Sequence, residues 1–180
     1  IGRNLSFLPM IPSFNEKQEK QSVKEKIQKY IAPLPGSYSI FYWNFDTNEQ
    51  FGINEKTILI GASLNKVSAV ATLYHLAGNG EIDLDETVTI QAVDIQDFGT
   101  GSIRYEEPGG VYSLKNLTRL SFEKSDNTAA HVLAKKIGMD KIQEMVNTWG
   151  LSQTNMEQNK TSAYDMGILF HKIYKGEVTS

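Results

Sequence analysis

Apolar positions along this chain fall into stretches with two different periods. Val23, Ile27 and Tyr30 recur at helical spacing within a segment rich in Lys, Glu and Gln, which predicts a solvent-facing helix over 16–31, ended by Pro33 to Gly36. Ahead of it, 1–15 holds prolines and mixed polarity and reads as an extended arm. From 37 to 45 the residues alternate and turn aromatic, which predicts a strand; 46–49 makes a turn and 50–54 the returning strand of a hairpin. A hairpin alone is marginal in water, so its apolar face needs further strands or helices. An apolar helix is predicted from Ser63 to the stop at Gly78, Asn79 and Gly80. A short extended piece at 83–90 leads into 91–112, a long loop holding Gly99, Gly101, Pro108, Gly109 and Gly110. Ser113 is placed to cap a helix to about Phe122, with Leu114, Leu117 and Leu120 inward. Helices follow at 127–137 and 140–149, closed by Gly138 and Gly150. The last helix spans 161–174, with Met166, Leu169, Phe170 and Ile173 as its apolar stripe and Gly176 as its stop. A hairpin followed by a run of helices predicts an α+β fold. Such a small sheet rarely stands alone, so strands from a further segment or a partner are expected.

Composition narrows the classes. A length of 180 residues suits one domain, read as 16–180, or an incomplete part of a larger one. With 40% hydrophobic residues and a net charge of −3, there is no basic stripe to serve a nucleic acid. No apolar run reaches the roughly 18 residues that a membrane span needs. The absence of cysteine removes disulfides, thiolate chemistry and Cys-based metal sites together. His75, His131 and His171 are scattered without metal-ligand spacing, so neither metal nor cofactor is expected. The chain starts at Ile1, and no charged segment precedes the apolar 5–11, so the residues themselves do not establish export.

Candidate chemistry begins at Ser63 and Lys66. One helical turn apart, hydroxyl and amine share a face. A serine at a helix N-terminus sits where developing negative charge is favoured, and a lysine that sheds its proton can accept that of the hydroxyl. The spacing alone is weak, because Ser121 and Lys124 repeat it at the end of another helix, where it reads as surface. Read blandly, Ser63 is a helix cap and Lys66 a solvated side chain. Ser125, Asp126 and Asn127 change that weighting. Asp and Asn are good caps too, yet a Ser and an Asn two apart at the start of a helix can both point into one cleft.

The set Ser63–Lys66, the loop Gly99 to Ser102, Pro108–Gly109, Ser125 to Ala130, Lys136 to Gly138, Trp149 to Leu151 and Asn159 to Asp165 occurs in family order. It resembles the class A β-lactamase and penicillin-binding-protein-like serine hydrolases over roughly 30–180. The resemblance implies a β-lactamase/transpeptidase-like fold, a helical subdomain with an N-terminal hairpin of an incomplete antiparallel sheet. It implies Ser63 as acylated nucleophile, Lys66 as general base or relay, Ser125 as proton donor to the leaving nitrogen, and Asn127 as binder of the substrate amide. The substrate would be a β-lactam or a peptidoglycan-type amide, met outside the cytoplasm of a bacterium, with no metal or cofactor.

Two departures stand beside it. No Lys-Thr-Gly strand follows the Ser-Asp-Asn motif; Lys160–Thr161–Ser162 reads as the cap of the last helix, and Lys56–Thr57–Ile58 comes too early. The chain is therefore expected to be truncated after Ser180, with part of the catalytic site outside it. The segment between Trp149 and Thr161 is also short for an omega loop, and its one carboxylate is Glu157, two residues before Asn159. Glu157 reads as a surface residue and a weak candidate for the base that activates water in deacylation. Two classes remain open: a serine hydrolase that hydrolyses its acyl-enzyme, and a penicillin-binding or non-catalytic relative or fragment serving as a binding module.

Overall fold

A computed structural model describes residues 14–178. Six α-helices and three two-stranded antiparallel ladders follow one another in these residues. Helix α1 spans Phe14–Ile31, so residues 14 and 15, read as part of the arm, are helical; residues 1–13 of that arm lie outside the described part. Strands β1 (Ile40–Asn44) and β2 (Glu49–Ile53) form the expected hairpin, in register from Ile40 opposite Ile53 to Asn44 opposite Glu49. Asn44 Oδ1 accepts the amides of Asp46 and Thr47, and Asn48 takes a positive φ, which together close the turn.

Helix α2 (Asn65–Gly78) is the hub. Its Val70 and Leu73 face α3 (Leu114–Glu123) and α4 (Asn127–Ile137), together with Ile90, Ile103, Leu114, Leu117 and Leu133. Its Ala69 and Ala71 belong to a second core, with Ile142 and Val146 of α5 (Met139–Thr148), Trp149, Leu151, and Met166 and Leu169 of α6 (Ala163–Tyr174). A helix with apolar surface on nearly every side is buried between layers, so the residues at its start are held from several directions. The hairpin docks on α6 through aromatic contacts: Phe41 lies 5.2 Å from the Tyr164 ring, and Trp43 stacks on His171 at 4.1 Å. Gly167 makes room, since a Cβ there would fall 2.3 Å from the Phe41 ring.

The capping expectations hold at Ser113, whose Oγ accepts the Asn116 amide. Several others need correction. The extended piece expected at 83–90 holds strand β4 (Thr87–Thr89), whereas 91–112, expected to be loop throughout, contains two 3-10 turns and the start of β5 (Val111–Ser113), paired antiparallel to β4. Lys160–Thr161 forms β6, paired with β3 (Leu59–Ile60), and it is Ser162 that caps the last helix by accepting the Asp165 amide. Phe170, expected in the apolar stripe of α6, is exposed, whereas Ser121, expected at the surface, is buried. Ladders of two or three residues have no sequence period of their own; they exist because chain closure brings them side by side.

Candidate active site

Ser63 lies in a 3-10 turn, Ala62–Leu64, which leads straight into α2. The residue before it, Ala62, has φ of 47°, a left-handed conformation that costs a non-glycine residue free energy and holds the turn tight against the helix start. Lys66, in the first turn of α2, is half-buried.

The second wall is the junction between α3 and α4. Ser125 also takes a left-handed φ of 50°, which turns its side chain back toward α2. Asp126 is fully buried; its Oδ1 accepts the Ala129 amide at 3.0 Å, and its Oδ2 accepts the amides of Ser102 at 2.6 Å and Ile103 at 3.0 Å. The carboxylate thus caps α4 and clamps the glycine-rich loop at once. That loop must be glycine where it touches the motif. A Cβ on Gly99 would fall 2.2 Å from Asn127 Nδ2, and one on Gly101 2.4 Å from the Asp126 carboxyl carbon. Thr100 completes the clamp, accepting the Asn127 amide through its carbonyl and donating its hydroxyl to the Ser125 carbonyl.

Ser63, Lys66, Ser125 and Asn127, distant in sequence, meet in one constellation. Ser63 Oγ and Ser125 Oγ are 2.9 Å apart. Lys66 Nζ donates to Ser125 Oγ at 3.0 Å, to the Ser125 carbonyl at 2.5 Å and to Asn127 Oδ1 at 2.9 Å. Ser125 therefore stands between the Ser63 hydroxyl and the Lys66 amine. Asn127 has its amide orientation set, with Oδ1 on Lys66 and one Nδ2 hydrogen on the Phe98 carbonyl at 3.2 Å, leaving a second N–H for a ligand. Burial pushes the Lys66 ammonium below its ordinary value of 10.5, and the negative charge of Asp126 pulls it part of the way back.

The other candidates fall elsewhere. Glu157 is exposed in the turn between Asn155 and Lys160 and is not among the partners of Lys66. Ser121 faces the core and Lys124 solvent, so that repeat of the spacing forms no pair. Sequence reading missed Asn65 and Asn159, whose side chains join at 2.8 Å across the start of α2. The available signal was Asn65 itself, an amide inside an apolar helix. Among the described residues, no helix is long and apolar enough to cross a membrane.

The chain is similar to known proteins in sequence and in fold. The PER-1 extended-spectrum β-lactamase of Pseudomonas aeruginosa is 21% identical over 155 residues, 84% of this chain and 50% of its own length. The chain thus spans half the length of that curated relative. A PBP-A mutant solved as an acyl-enzyme complex with penicillin G superposes with a TM-score of 0.81 at 23% identity, over 89% of this chain and 64% of that one. A β-lactamase from Sphaerobacter thermophilus gives a TM-score of 0.82 at 20% identity, again over 89% and 64%. These likenesses show a β-lactamase/transpeptidase-like fold. The sequence pattern of the Beta-lactamase enzyme family matches residues 22–180, nearly the whole chain, and the protein belongs to that family.

Proposed function

We propose that the protein is a β-lactamase-like serine hydrolase, acylated by β-lactams or peptidoglycan-type amides on Ser63. The observation that carries this reading is the unbroken contact from Ser63 Oγ through Ser125 Oγ to Lys66 Nζ. With Lys66 neutral, the Ser63 proton passes to Ser125 Oγ while the Ser125 proton passes to Nζ. Ser63 Oγ attacks the carbonyl carbon, and the Ser63 N–H, at the start of a helix, faces the developing oxyanion. As the C–N bond breaks, the nitrogen takes a proton from Ser125, which recovers one from the Lys66 ammonium. The product is an ester on Ser63 with its released amine still attached through the opened ring. Asn127 holds the substrate side-chain amide through its free N–H. Water then cleaves the ester and regenerates Ser63.

A second reading, a penicillin-binding protein whose acyl-enzyme persists, is favoured by the exposure of Glu157, which takes no part in the hydrogen bonds of Lys66. In both readings the site belongs outside the cytoplasm, where β-lactams and peptidoglycan stem peptides are met. Incubation of the full-length protein with a fluorescent penicillin, followed by intact mass and peptide mapping, tests the proposal. One adduct on Ser63 is expected. Its lifetime separates the two readings, seconds or less for hydrolysis and hours for penicillin binding. A folded protein with no adduct overturns both.

A further inference from the structure

Asn159 touches the nucleophile turn twice. Beyond the β3–β6 ladder, where Ile60 faces Lys160, its carbonyl accepts the Gly61 amide at 2.7 Å. Its side-chain Oδ1 accepts Asn65 Nδ2 at 2.8 Å. Gly61 lies two residues before Ser63 and Asn65 two residues after it, so one residue grips both flanks of the nucleophile. The grip is close. Asn65 is 94% buried, and a Cβ on Gly61 would fall between 2.7 and 2.9 Å from its amide atoms. Asn65 Oδ1 has no hydrogen-bond partner, so the bond to Asn159 is what its buried amide receives from a side chain. Within this grip Ala62 holds its left-handed φ of 47°, a conformation that persists only where surrounding contacts over-determine it. Asn159 itself has φ of 50°, which aims both its carbonyl and its side chain at the turn.

We infer that Asn65 and Asn159 form a positioning clasp for Ser63. The pair touches no reacting atom; it sets the backbone angle at Ala62, and through it the direction of the Ser63 N–H and Oγ. This rests on the reading of Ser63 as the acylated nucleophile. A polar side chain at position 65 is otherwise hard to account for, because a leucine there would fit an apolar helix without leaving a buried carbonyl oxygen unpaired.

The test separates rate from affinity. In the full-length protein, acylation by a fluorescent penicillin is followed at several concentrations to give the first-order acylation rate and the dissociation constant of the preceding complex. N65L removes the donor while keeping the number and branching of side-chain heavy atoms, and N159G removes the side-chain acceptor while keeping the left-handed backbone available. Each is expected to lower the acylation rate 10- to 100-fold, in the range known for misplaced reacting groups, with the dissociation constant within about threefold of wild type. The double variant should be no slower than the slower single one, because both break one bond. N159D, which keeps the acceptor, should restore the rate to within about threefold of wild type. Singles that acylate at the wild-type rate, or a loss in N159G that N159D does not restore, overturn the clasp. If wild type itself forms no adduct, the proposed function fails instead. Hydrogen exchange over 59–66 then decides the clasp: faster exchange in N65L at an unchanged melting temperature supports it, and unchanged exchange overturns it.

Discussion

The junction of α3 and α4 and the loop between α5 and α6 both border the start of α2, yet they are built differently. At the junction a buried carboxylate, three main-chain donors and two glycines without room for a Cβ lock Ser125 and Asn127 onto Lys66. In the loop the only carboxylate, Glu157, is exposed to solvent, and the side-chain hydrogen bond that reaches the start of α2 comes from the uncharged Asn159. The groups proposed to form an acyl-enzyme are therefore pre-organised by packing, while the one carboxylate of the loop is exposed and makes no hydrogen bond to them. Acylation and deacylation place separate demands on a serine hydrolase, and here the first is built more rigidly than the second.

The largest expected effect comes from Ser63→Ala, which should abolish the penicillin adduct at every time point while leaving the circular dichroism spectrum unchanged. Lys66→Arg should lower the acylation rate by about 10²–10⁴-fold, since a guanidinium keeps its protons and cannot take that of Ser125. The sign of the pH dependence follows from the same amine. Only neutral Lys66 accepts a proton, so the wild-type rate should fall as pH drops through a lysine pKa that lies below 10.5, and recover as pH rises. The Arg variant should show no such limb.

Asp126→Asn has two consequences. One of the oxygens that accept main-chain amides becomes a donor, so unfolding free energy should fall by about 3 kcal/mol in a denaturant titration. Removal of its negative charge also takes away the interaction that raises the Lys66 pKa, so the rising limb should move to lower pH. Gly167→Ala is the control for packing remote from the chemistry. Its Cβ meets the Phe41 ring at 2.3 Å, so a loss of about 1–3 kcal/mol is expected with the acylation rate per folded molecule unchanged. The smallest effect belongs to Glu157→Gln, for which the lifetime of the adduct should stay within about twofold. A much longer lifetime would mean that the loop supplies a base after all, and would erase the contrast between the two regions.

Much of this arrangement was legible from sequence because it obeys local rules. The hairpin and the long helices announce themselves through period, and Ser113 through its chemistry as a cap. The pairs Ser63–Lys66 and Ser125–Asn127 were legible as a combination, where neither was as a spacing. What escaped depends on chain closure. Strands β3 and β6 are two residues each and show no alternation; Thr161 pairs with Leu59 because the fold brings them together, and its neighbour Ser162 disguised the strand as a helix cap. The role of Asp126 was hidden for the same reason, since two of the amides it accepts lie more than twenty residues upstream in the glycine loop. Phe170 follows the helical period but faces outward, because the hairpin covers α6 through Gly167 and His171 instead.

The central claim is that Ser63 is the nucleophile and that the Ser125–Lys66 relay activates it. Time-resolved intact mass of the full-length protein with penicillin G, with peptide mapping of the adduct, tests it most directly. A single adduct on the peptide carrying Ser63, forming faster as pH rises through the lowered Lys66 pKa, is the predicted result. An adduct on another residue, or none on a folded protein across that pH range, would contradict it.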